Sequence, residues 1–193
     1  MSRQDAKPLL RAFLAVELPG DVHQRLMAAK RELSRLGGAV RWVRDESLHV
    51  TVKFLGNMSA EALVELRAAL AGPFAATPPL AIAVSGLAVF PDARRPHVIV
   101  ARIAADALAG VAAIVEGAAA RLGVAPERRP FTAHVTLGRV RDRDGWAALG
   151  AAIGARGDER FGDGVCTELI AFRSDLRPGG ALYTKLWSIP FGG

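Results

Sequence analysis

Apolar side chains dominate residues 9–18, which predicts a buried strand, and Pro19-Gly20-Asp21 punctuates the chain before a helical spacing over 22–36. Gly37-Gly38 ends that helix. A short strand over 39–43 and a turn at Arg44-Asp45-Glu46 precede residues 48–55, where apolar and polar positions alternate with the period of a strand. Ser59 reads as an N-cap, with Glu61 in the first turn of an Ala/Leu-rich helix that runs to about Ala71 and is stopped by Gly72-Pro73. Two apolar segments, 80–90 and 97–103, flank the turn-rich stretch 91–96 and read as neighbouring antiparallel strands. A second alanine-rich helix over 105–122, a basic loop over 123–130 and a strand over 131–140 follow. A weaker helix over 146–154 and two last strands over 165–174 and 181–189 complete the pattern. The order is α+β, with helices packed on antiparallel sheets.

Composition narrows the class without naming a function. Half of the 193 residues are apolar and 23% charged, the balance of a globular chain, so disorder, collagen and coiled coil are excluded. No Gly/Ser-rich or Pro-rich linker divides the chain, and the expectation is one domain over 1–193. The single cysteine, Cys166, excludes an internal disulfide or a thiolate zinc cluster and points to a reducing, cytoplasmic setting. The longest apolar stretch, 80–90, is broken by Ser85 and Gly86 and is far short of the ~20 residues of a membrane span. The first twenty residues carry Arg3, Lys7, Arg11 and Glu17 and do not read as a signal peptide. A net charge of +6 is compatible with a polyanionic partner and does not require one.

One short feature recurs. His49-Val50-Thr51-Val52 and His134-Val135-Thr136-Leu137 stand 85 residues apart, each on an expected strand after a turn, which suggests two similar lobes. Alternation puts His49 and Thr51 on one face with Ser47 and Lys53, opposite Val50, Val52 and Phe54. His134, Thr136 and Gly138 share a face in the same way. His23 and His97 lack a threonine at +2 and read as ordinary half-buried histidines. Two histidines with hydroxyls make a poor metal site, and no HxH, HExxH or nearby carboxylate pair supplies further ligands, so neither metal nor cofactor is expected. In-line displacement at phosphorus needs a base on the entering oxygen and an acid on the leaving one. Two imidazoles suit both tasks near pH 7, and the two hydroxyls suit the non-bridging oxygens.

The motifs with their flanks, Leu48-His49-Val50-Thr51-Val52-Lys53-Phe54-Leu55-Gly56 and Arg129-Pro130-Phe131-Thr132-Ala133-His134-Val135-Thr136-Leu137-Gly138-Arg139, resemble the 2H phosphoesterase superfamily. Within it the chain is most similar to the RNA 2′,3′-cyclic phosphodiesterase family, also called the LigT or 2′-5′ RNA ligase family. Phe13-Leu14-Ala15-Val16-Glu17-Leu18-Pro19, Arg41-Trp42-Val43 and Phe172-Arg173-Ser174-Asp175-Leu176 with Tyr183 agree with it. The resemblance implies a bilobal, pseudo-symmetric fold in which two antiparallel sheets face a central cleft, helices outside, one motif per lobe. It implies hydrolysis of an RNA 2′,3′-cyclic phosphate to a 2′-phosphomonoester, and weak reversible 2′-5′ joining of RNA ends. By the same resemblance His49 is the proton donor to the departing 3′ oxygen and His134 the acceptor from water; symmetry of the motifs alone supports only the pair. The implied partners are RNAs with 2′,3′-cyclic phosphate ends, tRNA fragments among them, met by a monomer away from any membrane.

Arg139 is expected near the phosphate, although strict alternation turns it away from His134, so a bulge or strand end must re-aim it. Parity gives Lys53 to the cleft and Phe54 to the core. Phe131, at the loop edge, is the expected stacking platform for a base. Arg94, Arg95, Arg128 and Arg129 are candidates for RNA backbone contacts. Two other readings remain open: a 2H phosphodiesterase acting on 2′-5′ oligonucleotides or small cyclic nucleotides, and a non-catalytic RNA-end-binding module.

Overall fold

A computed structural model describes residues 8–178 and 180–192. Strand β1 (Leu10–Glu17) leads into helix α1 (Gly20–Ser34), whose Val22, Leu26, Ala29 and Leu33 repeat at helical spacing and are buried. The short β2 (Val40–Trp42) and a 3-10 turn (Asp45–Ser47) precede β3 (His49–Met58), which carries the first motif. Helix α2 (Ala60–Ala75) is capped by the Ser59 side chain, which accepts from the Ala62 amide. The hairpin of β4 (Leu80–Asp92) and β5 (Arg95–Ala104) is longer than its sequence suggests, because the Asp92 carboxylate accepts from the Arg94 and Arg95 amides and tightens the turn. Then come α3 (Asp106–Arg121), β6 (His134–Val140) with the second motif, α4 (Trp146–Ala155), β7 (Arg160–Cys166), β8 (Glu168–Arg177) and β9 (Gly180–Pro190).

The strands form one hydrogen-bonded path, β7-β4-β5-β6-β3-β1-β8-β9, with β2 added to β6. Its two halves meet where β6 touches β3, in a single antiparallel register pair, Val50 opposite Val135. Each half thus has four strands along the path, the β6 half with β2 as a fifth, and a His-x-Thr strand innermost, and the halves curl apart from that seam. Helices cross between them: α1 and α4 lie over β7 and β4, whereas α2 and α3 cover β9 and β3. The apolar layer beneath the helices includes Leu26, Leu66, Leu70, Leu108, Val115, Leu137 and Leu149, all essentially inaccessible. Each such side chain contributes about 1.5–3 kcal/mol when buried.

Three sequence expectations need correction. Gly72-Pro73 does not stop α2; Pro73 lies inside its last turn. Phe74 is fully buried against Phe191, with ring centroids 5.6 Å apart, and the Gly192 amide donates to the Phe74 carbonyl. That burial offsets the hydrogen bond proline cannot make. The segment expected as one strand over 165–174 is two: Val165 and Cys166 end β7 in one half, and after Thr167 the chain crosses to β8 in the other. Most of β7 escaped notice because Gly162, Asp163 and Gly164 weaken its strand signal. A Cβ at Gly164 would fall 2.3 Å from the Pro19 ring, so the glycine admits the turn before α1. Finally, β6 starts at His134, not Phe131.

Candidate active site

Bulges decide which side chains face the cleft. Ala15 pairs with Thr51 but Leu14 with Lys53, so Val52 is extra on β3; Phe13 pairs with Phe54 but Ala12 with Gly56, so Leu55 is extra as well. On β6, Val100 pairs with Thr136 and Ile99 with Gly138, which leaves Leu137 extra. Each motif strand therefore changes parity directly after its threonine. The first bulge overturns the expectation for Lys53 and Phe54: Lys53 turns under the sheet and is 2% exposed, while Phe54 is 54% exposed and lines the cleft. The bulge at Leu137 turns Arg139 into the same cleft. Gly138 has a second role. A Cβ there would lie 2.7 Å from Val40 and 3.1 Å from Trp42, so only glycine lets β2 dock and carry Arg41 and Trp42 into the cavity.

Antiparallel pairing at Val50 and Val135 sets Thr136 alongside His49 and His134 alongside Thr51 on one face of the sheet; His49, Thr51 and Thr136 line the cleft, whereas half-buried His134 is outside its lining. The two histidines occupy one diagonal of this quartet, a spacing of about 7 Å between Cβ positions, and the two threonines the other. His49 Nε2 lies 3.1 Å from Thr51 Oγ1, and the Ser47 backbone also hydrogen-bonds the ring. Phe13 stacks on the His49 ring at 4.9 Å and Tyr183 meets it edge-on at 5.3 Å. His134 Nδ1 donates to the Thr132 carbonyl at 2.7 Å, and its ring meets Phe90 edge-on at 5.3 Å. Since a carbonyl only accepts, Nδ1 carries hydrogen and Nε2 of neutral His134 is left to take a proton.

Burial pushes the His49 imidazole down to about 4; the Ser47 hydrogen bond opposes this shift and the nearby charge of His134 adds to it. The folded state thus resists a proton that the unfolded chain accepts at an ordinary pKa near 6.5. Stability contributed by neutral His49 is complete above about pH 6.5 and is lost as pH falls through about 4, by up to ~3 kcal/mol. Urea titrations at pH 7 and pH 4 check this: the loss on acidification should be smaller by that amount in His49→Gln, and an identical loss in both proteins would refute it.

The 3-10 turn bearing Ser47 is itself anchored. Lys30, buried in α1, donates to the Val43 carbonyl at 2.6 Å and pairs with Asp45 at 2.5 Å, and Arg31 reaches the same carboxylate. The Lys30 hydrogen bond in particular holds the Asp45 carboxyl below its usual range. His23 Nε2 donates to the Asp45 carbonyl at 2.9 Å, a structural role for that histidine.

The cleft has a volume of about 610 Å³, with Arg11, Arg41, Arg139 and Arg177 and the aromatic faces of Trp42 and Phe54 in its wall. Burial raises the Tyr183 phenol, and the Arg139 and Arg11 charges oppose the rise. Of the arginines expected from sequence, only Arg139 reaches the cavity. Arg94 and Arg95 lie at the β4–β5 turn, Arg128 and Arg129 in the exposed loop before β6, and neither pair lines it. Phe131 packs partly buried against the core and does not line the cavity. Arg11 and Arg177 carried no sequence signal, because β1 and the β8–β9 hairpin reach the cleft only through folding. Among the described residues no cluster of three or more His, Cys, Asp or Glu side chains could hold a metal ion, and none of the helices is long and apolar enough to cross a membrane. Cys166 is buried, and desolvation pushes its thiol up to about 11, which makes it a poor nucleophile.

Two His-x-Thr strands meet at the seam of the sheet, one from each half. The chain belongs to the LigT-like phosphoesterase family, whose model matches residues 16–100 and 102–183. It is 28% identical over 181 residues to an RNA 2′,3′-cyclic phosphodiesterase of Methanothermobacter thermautotrophicus, an alignment covering 92% of this chain and 96% of the relative. The corresponding protein of Aquifex aeolicus is 26% identical over 189 residues, with 96% and 99% covered. Among solved structures, a Thermus thermophilus protein superposes with a TM-score of 0.81 at 25% identity, over 95% of this chain and 99% of that one. The Escherichia coli LigT complex with 3′-AMP superposes with a TM-score of 0.75 at 26% identity, over 95% and 98%.

Proposed function

We propose that the protein hydrolyses 2′,3′-cyclic phosphate ends of RNA to 2′-phosphomonoesters. The observation that carries this reading is the quartet of side chains around Val50 and Val135, with imidazoles on one diagonal and hydroxyls on the other. A phosphate seated over the quartet has an imidazole on each side, as in-line displacement needs. His134 Nε2 takes a proton from the attacking water, whose oxygen bonds to phosphorus. The bond from phosphorus to the 3′ oxygen breaks, and His49 supplies that oxygen's proton. Thr51 and Thr136 donate to the non-bridging oxygens, and Arg139 offsets the charge that develops on them. With a 5′-hydroxyl in place of water the same transfers form a 2′-5′ bond, which accounts for reversible joining. The names of the relatives support the RNA substrate, and the bound 3′-AMP of the Escherichia coli protein supports a nucleotide in the cleft.

Protonated His49 is the acid in this scheme, whereas burial favours its neutral form in the free protein. An anionic phosphodiester beside the ring reverses that balance, because the opposite charge stabilises imidazolium. The acid limb of kcat/KM, which reports the free enzyme, is therefore expected near pH 4, and the acid limb of kcat at a distinctly higher pH. Initial rates on a cyclic-ended oligonucleotide between pH 3.5 and 9 test this, on the order of one profile per parameter. Coincident limbs near 6.5 would contradict it. Identifying the product as the 2′- rather than the 3′-monophosphate tests the assignment of the leaving oxygen.

A further inference from the structure

Along the cleft face of β1 and β3 the paired rungs run from Glu17–His49 through Ala15–Thr51 and Phe13–Phe54 to Arg11–Asn57. Beyond Phe54 lies a second, shallower cavity of about 260 Å³, lined by Arg11, Ala12, Phe54, Gly56 and Asn57. Arg11, Ala12 and Phe54 belong to both cavities, so the two are neighbours, with the exposed Phe54 in the wall they share. Gly56 adopts φ +72°, and nothing stands within 4 Å of where its Cβ would be, which keeps the floor open. The Arg11 side chain is exposed and makes no ion pair or hydrogen bond among the described residues. The four residues from Ala15, opposite Thr51, to Arg11 span about 13 Å. One nucleoside fits between a phosphate at the threonines and the Arg11 guanidinium.

We propose that Arg11 binds the phosphodiester on the 5′ side of the terminal nucleotide and that the second cavity receives the nucleoside upstream of it. A nucleoside cyclic phosphate has one anion, already met by the threonines and Arg139. A second unpaired cation one nucleoside away fits a second anion, and a 5′-linked chain supplies it there. The outer face of Phe54 then stacks the upstream base, and the Asn57 amide offers hydrogen bonds to its edge. This subsite makes the enzyme select polynucleotide ends over free cyclic mononucleotides, and it rests on the cyclic phosphodiesterase reading above.

Steady-state kinetics on three substrates, a nucleoside 2′,3′-cyclic phosphate, the same compound with a 5′-phosphate, and a dinucleotide ending in that cyclic phosphate, test it with the wild type and Arg11→Gln. The dinucleotide is expected to exceed the nucleoside in kcat/KM by at least ~10-fold, mainly through KM, and Arg11→Gln should lower that ratio roughly several-fold while the base contacts keep it above one. A ratio near one in the wild type, an unchanged ratio in the variant, or a 5′-phosphate that alone supplies the whole gain would overturn the proposal. If no substrate is turned over, the cyclic phosphodiesterase reading fails separately. Calorimetric affinities for the same three compounds then decide on Arg11: selective loss of dinucleotide affinity in the variant supports the subsite, and equal loss for all three refutes it.

Discussion

His49→Ala and His134→Ala are each expected to lower turnover of a 2′,3′-cyclic-phosphate-ended RNA by roughly 10²- to 10⁴-fold, the usual worth of a positioned acid or base. The two effects should not add. Once one imidazole is gone the in-line transfer is no longer concerted, so the double variant should retain about the activity of the worse single one. Thr51→Val and Thr136→Val each remove one donor to the developing charge and are expected to cost about 10²-fold. Rates are measured with excess EDTA, and circular dichroism confirms folding. The His49 ring packs between Phe13 and Tyr183, so His49→Gln serves as a milder partner to the alanine variant. Full activity in both histidine variants would sink the mechanism, and loss in only one would replace it with a single-histidine scheme.

The placement of the two motifs on facing strands was legible because it rests on alternation up to the threonine, and that alternation holds in the fold. What lay past the threonine was not legible. A bulge inserts one residue at Val52 and another at Leu137, and each exchanges the faces of the residues that follow, on β3 as far as the second extra residue, Leu55. That single displacement explains three outcomes: Lys53 buried, Phe54 in the cleft and Arg139 turned inward. The need for a bulge could be inferred from Arg139, since alternation alone contradicted its expected role. Nothing comparable marked Lys53 or Phe54. Glycines offered the other readable signal. Gly138 in a strand and Gly164 beside Pro19 both mark close backbone approach, which periodicity treats only as weakness. Arg11 and Arg177 came to the cleft through pairing between distant strands, and no local pattern encodes that.

The buried position of Lys53 leads to the second large effect, this one on stability. Lys53 Nζ donates to Glu116 Oε2 at 2.7 Å and to the Ala125 carbonyl at 3.4 Å, and Glu116 also accepts from the Glu127 amide at 3.1 Å. One ion pair thus ties the strand of the first motif to helix α3 and to the loop that leads to the second. The Lys53 side chain is 1% exposed and that of Glu116 32%, so the two partners are not equivalent. Glu116→Ala strands an ammonium away from water and is expected to cost about 3–5 kcal/mol, a fall in Tm of roughly 10–15 °C for a chain of this size. Lys53→Met leaves a carboxylate that water can reach and one carbonyl without its donor, so about 1–2 kcal/mol is expected. Combining Lys53→Met with Glu116→Leu removes both charges and should recover most of the loss. The lysine hydrogen bond holds the Glu116 carboxyl below its ordinary 4.5, so the pair's contribution is complete above that pH and is lost as pH falls through the lowered value. Thermal denaturation of the three variants at pH 7 decides: if Lys53→Met destabilises as much as Glu116→Ala, burial of the ammonium is not what makes this pair matter. Glu116→Ala keeps the Lys53 contact to the Ala125 carbonyl whereas the double variant removes both loop contacts, so the double variant should turn over more slowly when each is examined well below its Tm, because this loop leads to the Thr132 carbonyl that orients His134.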